Sequence, residues 1–201
     1  MAFYNEFNDY TNFVISFSRT PKYDFGIFAQ GYRFAANSVA KELIENGHFP
    51  DYKAYPVVFL YRHALELHLK NIIYSVAKLL VFKGVEDIDN KLHRTHKLDD
   101  LSCKVKNILT KLFPDDKELH QLLKKVVLVA KEFSEIDSES YGYRYPINNR
   151  GEHSTKSNQY VNLRSLATHM DNLLEQLESI DCGLNIETDI AQEIYEAFEN
   201  F

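Results

Sequence analysis

Arg62, Glu66 and Lys70 stand four residues apart in the run YRHALELHLK, a spacing that puts all three on one row of a helix. Glu66 precedes Lys70, the order that stabilises such a pair. A charged row on a mostly apolar helix needs a partner, because a buried charge persists only when paired and hydrogen-bonded. His63 flanks this row. His68 instead falls with Tyr61, Ala64, Leu65 and Ile72 on the apolar stripe, which predicts a packed histidine with one hydrogen bond rather than a catalytic one. The stretch SESYGYRYPINNRGEHSTKS, Ser138 to Ser157, is the other place where residue types suggest chemistry. Tyr141, Tyr143 and Tyr145 surround Arg144, and from Tyr141 to Arg164 the bases Arg144, Arg150, Lys156 and Arg164 outweigh Glu152 to leave a local +3. Tyrosines interleaved with arginines offer stacking faces and phosphate-binding forks together, which suits a base or a nucleotide. The alternative is a structural plug, with the tyrosines covering one end of a bundle and Arg144 paired to a helix carboxylate.

Other chemistries find less support. His93 and His96 are three apart and could face one cation, yet no Cys or acidic spacing completes a ligand set, so neither a metal nor a cofactor is expected. Gly-rich phosphate loops, a Gly-x-Ser-x-Gly elbow and His-Glu-x-x-His are absent, which removes support for hydrolase, kinase and zinc-protease readings. Cys103 and Cys182 are too few for a disulfide framework.

The elements that must position these residues read as helices. Only 7 Gly and 5 Pro in 201 residues leave little material for the tight turns of a sandwich or barrel. Periodicity predicts a first helix from Asp24 to Asn46, stopped by Gly47, and a long central one from near Pro56 to a stop at Gly84. A third follows Thr95 as N-cap and runs to Pro114, and a fourth starts from Asp115 or Asp116 to make an antiparallel hairpin with it. A fifth covers Asn158 to Ile180, and a short sixth runs from Thr188 to Phe201. The first twenty residues fit either a strand over Phe13–Phe17 or a helical face through Phe3, Phe7 and Tyr10. The expectation is one all-α domain spanning residues 1–201, an up-and-down bundle of five to six helices with one long loop between the fourth and fifth. The turn signal Asn148-Asn149-Arg150-Gly151 could fold part of that loop as a hairpin.

Charge is unevenly distributed. Nine acidic residues (Asp171, Glu175, Glu178, Asp181, Glu187, Asp189, Glu193, Glu196 and Glu199) and no Lys or Arg fall between Asp171 and Phe201, so a net charge of −6 becomes +3 for residues 1–170. A solvated helix face is the expected setting for that run. Lys78 interrupts the most apolar stretch, and MAFYNEFNDY lacks a signal peptide's basic and apolar regions, so no membrane span and a cytoplasmic location are expected.

FLYRHALELHLKNII in a long early helix, THKLDDL opening the next, IDSESYGYRYP, and NLRSLATHM on a late helix together resemble the HEPN superfamily of helical-bundle domains (higher eukaryotes and prokaryotes nucleotide-binding). The resemblance covers residues 55–180. It implies a bundle that binds RNA or nucleotides, in bacterial defence or toxin–antitoxin systems where similar domains pair with nucleotidyltransferases. Some similar domains are metal-independent ribonucleases that act as dimers, and others are binding or scaffold modules. The catalytic signature is Arg, four to six residues, then His on a late helix, which Arg164 and His169 match. By that resemblance His169 would move the proton of an RNA 2′-hydroxyl and Arg164 would stabilise charge on the phosphate. Five residues of helix separate the two by about 140°, so they converge only through side-chain reach or a dimer partner. The binding reading centres on Glu66, Lys70, His96, Arg144 and Tyr145, with Arg144 paired to Glu66; a third reading makes the chain a structural interaction module.

Overall fold

The computed structural model describes residues 24–47, 50–83, 95–137, 142–148, 150–154 and 160–199. These form five packed α-helices and no strand: α1 (Phe25–Asn46), α2 (Ala54–Phe82), α3 (Leu98–Leu112), α4 (Lys117–Ile136) and α5 (Leu163–Glu199). His93, Tyr141, Lys156 and the ambiguous Phe13–Phe17 stretch lie outside the described residues.

α2 is the axis. Its mostly apolar sequence leaves no solvated face along its middle, and every residue from Ala64 to Ile73 is buried. α1 and α5 pack along it, α3 packs on another side, and α3 forms a hairpin with α4. A single cluster of buried apolar side chains joins all five helices, including Leu65, Leu69, Leu101, Val105, Leu123, Val126, Leu174 and Leu177. No helix is long and apolar enough to cross a membrane, among the described residues.

Local signals explain most boundaries. A 3-10 turn, Asp51–Lys53, leads into α2, so the helix starts two residues before Pro56. Proline is tolerated there because first-turn N–H groups have no intrahelical acceptor. Asp116 caps α4 by accepting from the Leu119 N–H at 2.9 Å, and Asn162 does the same for the Ser165 N–H of α5 at 2.9 Å. Two expectations need correction. The N-cap of α3 is Lys97, with no side-chain bond, rather than Thr95; Asp99 and Asp100 in the first turn favour that end through the helix dipole. The fifth and sixth helices are one, because the sequence around Gly183 continues the same buried stripe through Leu177, Leu184, Thr188 and Ala191.

α4 and α5 are joined through residues 137–162, where Asn148 builds a tight turn: its N–H donates to the Glu152 carbonyl at 2.8 Å and its side-chain oxygen accepts from the Arg150 and Glu152 amides. Gly151 completes the turn at φ +77°, and Ile147 and His153 form an isolated antiparallel bridge.

Gly183 tests the continuity of α5. A Cβ there meets nothing within 4 Å, so Gly183→Ala should raise stability by about 0.5–1 kcal/mol through helix propensity alone. Gly183→Pro should cost about 3 kcal/mol or more, read by urea unfolding. Two helices hinged at this position would show neither effect.

Candidate functional site: a buried ion cluster beneath an aromatic and cationic surface

The row predicted on α2 exists, and it is buried. Arg62, Glu66 and Lys70 are at most 2% exposed. Lys70 Nζ donates to Glu66 Oε1 at 2.8 Å, Arg62 Nη1 reaches Glu66 Oε2 at 3.5 Å, and His96 Nδ1 donates to Glu66 Oε1 at 2.8 Å. Arg62 also donates from Nη2 to the backbone carbonyls of His96 (3.3 Å) and Asp137 (3.4 Å), with its Nε 3.8 Å from Asp137 Oδ2. One guanidinium thus ties the segment before α3 and the end of α4 to the central helix. Burial alone would raise the Glu66 pKa, but the Lys70 ammonium and the His96 hydrogen bond outweigh it, leaving the carboxyl below its ordinary value and ionised. Burial lowers Arg62 against the opposing pull of Asp137 and Glu66.

Glu66 is therefore filled by Lys70, Arg62 and His96, and the expected Arg144–Glu66 pair does not form. Arg144 lies instead with its guanidinium 5.6 Å from the Phe59 ring centre and 5.7 Å from that of Tyr145. Phe59 stacks on His63 (5.5 Å, 11°), and His63 meets Tyr32 edge-on at 4.5 Å. This ladder was missed in the sequence, although Phe59 and His63 are one helical turn apart and so share a face. Burial lowers the His63 pKa, so the imidazole is neutral near pH 7. Tyr143 packs near Tyr55, and burial followed by the Asp137 charge pushes its phenol up to about 12.

The five predicted binding residues separate into two layers. Glu66 and Lys70 are interior and spent on one another. His96, with a side chain 59% exposed, Arg144 and Tyr145 reach the surface. Arg164 and His169 are elsewhere on the first turns of α5, both exposed; His169 Nδ1 donates to the Ser165 carbonyl at 2.7 Å, which leaves Nε2 as the outward acceptor. Among the described residues no group of His, Cys, Asp and Glu could hold a metal.

A second polar layer lies where α1, α2 and α5 meet. Arg33 donates to Asp171 at 2.7 Å and pairs with Glu178 at 3.0 Å and Glu175 at 4.0 Å. Asn37 bridges Asp171 and the Tyr61 hydroxyl, and Ser75 donates to Asp181 at 2.7 Å. The first half of the acidic run is therefore the seam with α1 and α2, not a solvated face. His68 sits in this layer, 1% exposed, as a packed histidine but without the expected hydrogen bond: neither ring nitrogen has a partner among the described residues, and Glu178 is 3.7 Å away. Burial, aided by Arg33, lowers its pKa to about 4.

No family model, no curated protein and no solved structure matches this chain.

Two predictions follow the two layers. Glu66→Gln leaves Arg62 and Lys70 facing each other in the interior and should destabilise by about 3–5 kcal/mol, whereas Arg62→Met, Glu66→Leu and Lys70→Met together should cost less than Glu66→Gln alone. Urea unfolding of both variants decides it. His68 is neutral in the folded state down to about pH 4 but protonates near 6.5 when unfolded. The unfolded state thus binds the extra proton across that window, and stability falls as pH drops from 6.5 towards 4, by up to about 1.4 kcal/mol per unit. His68→Leu should remove the larger part of this slope, leaving the share of the likewise depressed His63 and the loss below pH 4.5, where Glu66 protonates, in place.

Proposed function

We propose that the chain is a nucleotide- or RNA-interacting HEPN-like domain of bacterial defence or toxin–antitoxin systems, acting as a homodimer with a nucleotidyltransferase antitoxin as partner. The observation that carries the reading is Arg144 held between the rings of Phe59 and Tyr145, above an ion cluster that fixes His96 by its Nδ1. Guanidinium groups recognise phosphate and stack on aromatic faces, and Tyr145, 52% exposed, offers a ring on which a base can stack. Glu66, Lys70 and Arg62 act beneath as positioning residues. The order of the sequence pieces adds support: FLYRHALELHLKNII lies within α2, THKLDDL opens α3 and NLRSLATHM opens α5.

One observation favours a second reading, the metal-independent endoribonuclease. His169 Nδ1 donates to the Ser165 carbonyl, which leaves Nε2 as the acceptor, and Arg164 is exposed five residues earlier. In that mechanism Nε2 takes the 2′-hydroxyl proton as the oxygen bonds to the adjacent phosphorus, and Arg164, from the same or the other protomer, stabilises the negative charge on the phosphate oxygens. The P–O5′ bond breaks to leave a 2′,3′-cyclic phosphate and a 5′-oxygen that takes up a proton from an imidazolium or water.

Anisotropy of a labelled mixed-sequence single-stranded RNA distinguishes the readings. Binding should weaken with added salt, and Arg144→Ala should weaken it by about tenfold or more and reduce the salt slope by about one. Intact RNA with the wild type, without divalent metal, removes the endoribonuclease; cleavage that disappears in Arg164→Ala/His169→Ala establishes it. Absence of binding to RNA and nucleotides at low salt rejects the proposal and leaves the structural interaction module.

A further inference from the structure

We propose that the distal half of α5 is a docking surface for a basic amphipathic helix of a partner protein. Along this half, Leu184, Thr188 and Ala191 are buried against the bundle. Ile186, Ile190, Ile194 and Phe198 repeat every four residues and are 62%, 49%, 53% and 78% exposed. At about 100° per residue Ile186 lies opposite the buried stripe of Leu184, Thr188 and Ala191, and Ile190 lies on the flank about 100° from Ala191. An ordinary surface helix turns polar residues to that side. The four-residue repeat drifts about 40° per step, so the row Ile186, Ile190, Ile194 and Phe198 winds from the outer side round to the flank of the buried stripe. Four exposed apolar side chains in sequence along one helix are a patch of the kind that marks an interaction site.

The charge around the row selects its occupant. Glu187, Asp189 and Glu193 are exposed alongside it, and none of them enters an ion pair among the described residues. No Lys or Arg occurs between Asp171 and Phe201 to balance them. A second copy of the chain would bring the same carboxylates together, and an anionic lipid surface would repel them. Residues 1–23 carry Glu6 and Asp9 against Arg19 and Lys22 and have no positive excess to offer. A helix with Leu or Ile on one face and Lys or Arg along its edges satisfies both the apolar row and its acidic border.

The test uses the full chain and a synthetic amphipathic helix of about 18 residues, Leu-faced and Lys-edged, beside the same peptide with Glu at every Lys position. At about 0.1 M salt the Lys-edged peptide should bind at least about tenfold more tightly than the Glu-edged one. Ile190→Gln with Ile194→Gln, both at exposed positions, should lose at least about tenfold in affinity, and Glu187→Lys, Asp189→Lys and Glu193→Lys together should reverse the preference. Circular dichroism establishes that each variant keeps its helix content. Equal binding of the two peptides, or affinity unchanged in the Ile variant, overturns the proposal. So does a wild-type dimer that the Ile variant dissociates, since the occupant is then a second copy.

Discussion

The structure depends on one carboxylate. α2 is surrounded by α1, α3 and α5 along its middle, and so two of the cations it carries there, Arg62 and Lys70, have no route to water. Glu66 makes this tolerable by accepting from Lys70, Arg62 and His96 together, four residues from one cation and four from the other. Buried ion clusters of this kind contribute little net stability, because desolvation offsets most of the attraction. What they contribute is geometry. An apolar helix can slide or rotate against its neighbours at small cost, whereas Arg62 must meet the carbonyls of His96 and Asp137 in one register or leave its donors unsatisfied. The segments on either side of the α3–α4 hairpin are thereby fixed to the first half of α2, and with them the surface that His96 occupies.

The two polar layers divide the work of holding α2. Towards α3 and α4 the cluster is dense in charge and centred on Glu66; towards α1 and α5 it is a chain from Tyr61 through Asn37 to Asp171 and Arg33. Burial first, and then the Asp171 charge, pushes the Tyr61 phenol up to about 12, so it stays a donor at neutral pH. Gly26 allows α1 to approach closely, because its N–H donates to the Asn71 side chain at 3.0 Å and a Cβ there would meet the amide nitrogen at 3.0 Å. His68 is the exception in this layer, an imidazole kept neutral by burial where a charged one would face Arg33.

Much of the architecture was legible because its signals are local. Apolar periodicity, the scarcity of Gly and Pro, and the cap at Asp116 are properties of a few neighbouring residues. The row Arg62, Glu66 and Lys70 was legible for the same reason, as a consequence of four-residue spacing. Its partners were not. Whether Glu66 takes His96 or Arg144 depends on how segments thirty and seventy-eight positions away are placed, and both side chains carry N–H groups that a carboxylate can accept from. The break expected between Ile180 and Thr188 is absent for the opposite reason: the buried stripe on both sides overrides the local helix-weakening effect of Gly183. The acidic run misled because composition does not say which carboxylates face Arg33.

α5 carries this division along its own length. At 37 residues it extends about 55 Å, from Arg164 and His169 in its first turns, past the seam with α1, to the row ending at Phe198. Its dipole places partial positive charge at the first end and partial negative charge at the last, where no basic residue lies in the final turn. Carboxylates near a helix C-terminus oppose that dipole and weaken the end that carries them. Exposed isoleucines and a phenylalanine between them add unfavourable contact with water. A sequence optimised only for the stability of this helix would place lysines there and polar residues between. Local preferences are most often violated where another requirement overrides them. Here the violations of charge and of hydrophobicity coincide on a few turns of helix, and a cationic, apolar-faced partner relieves both at once.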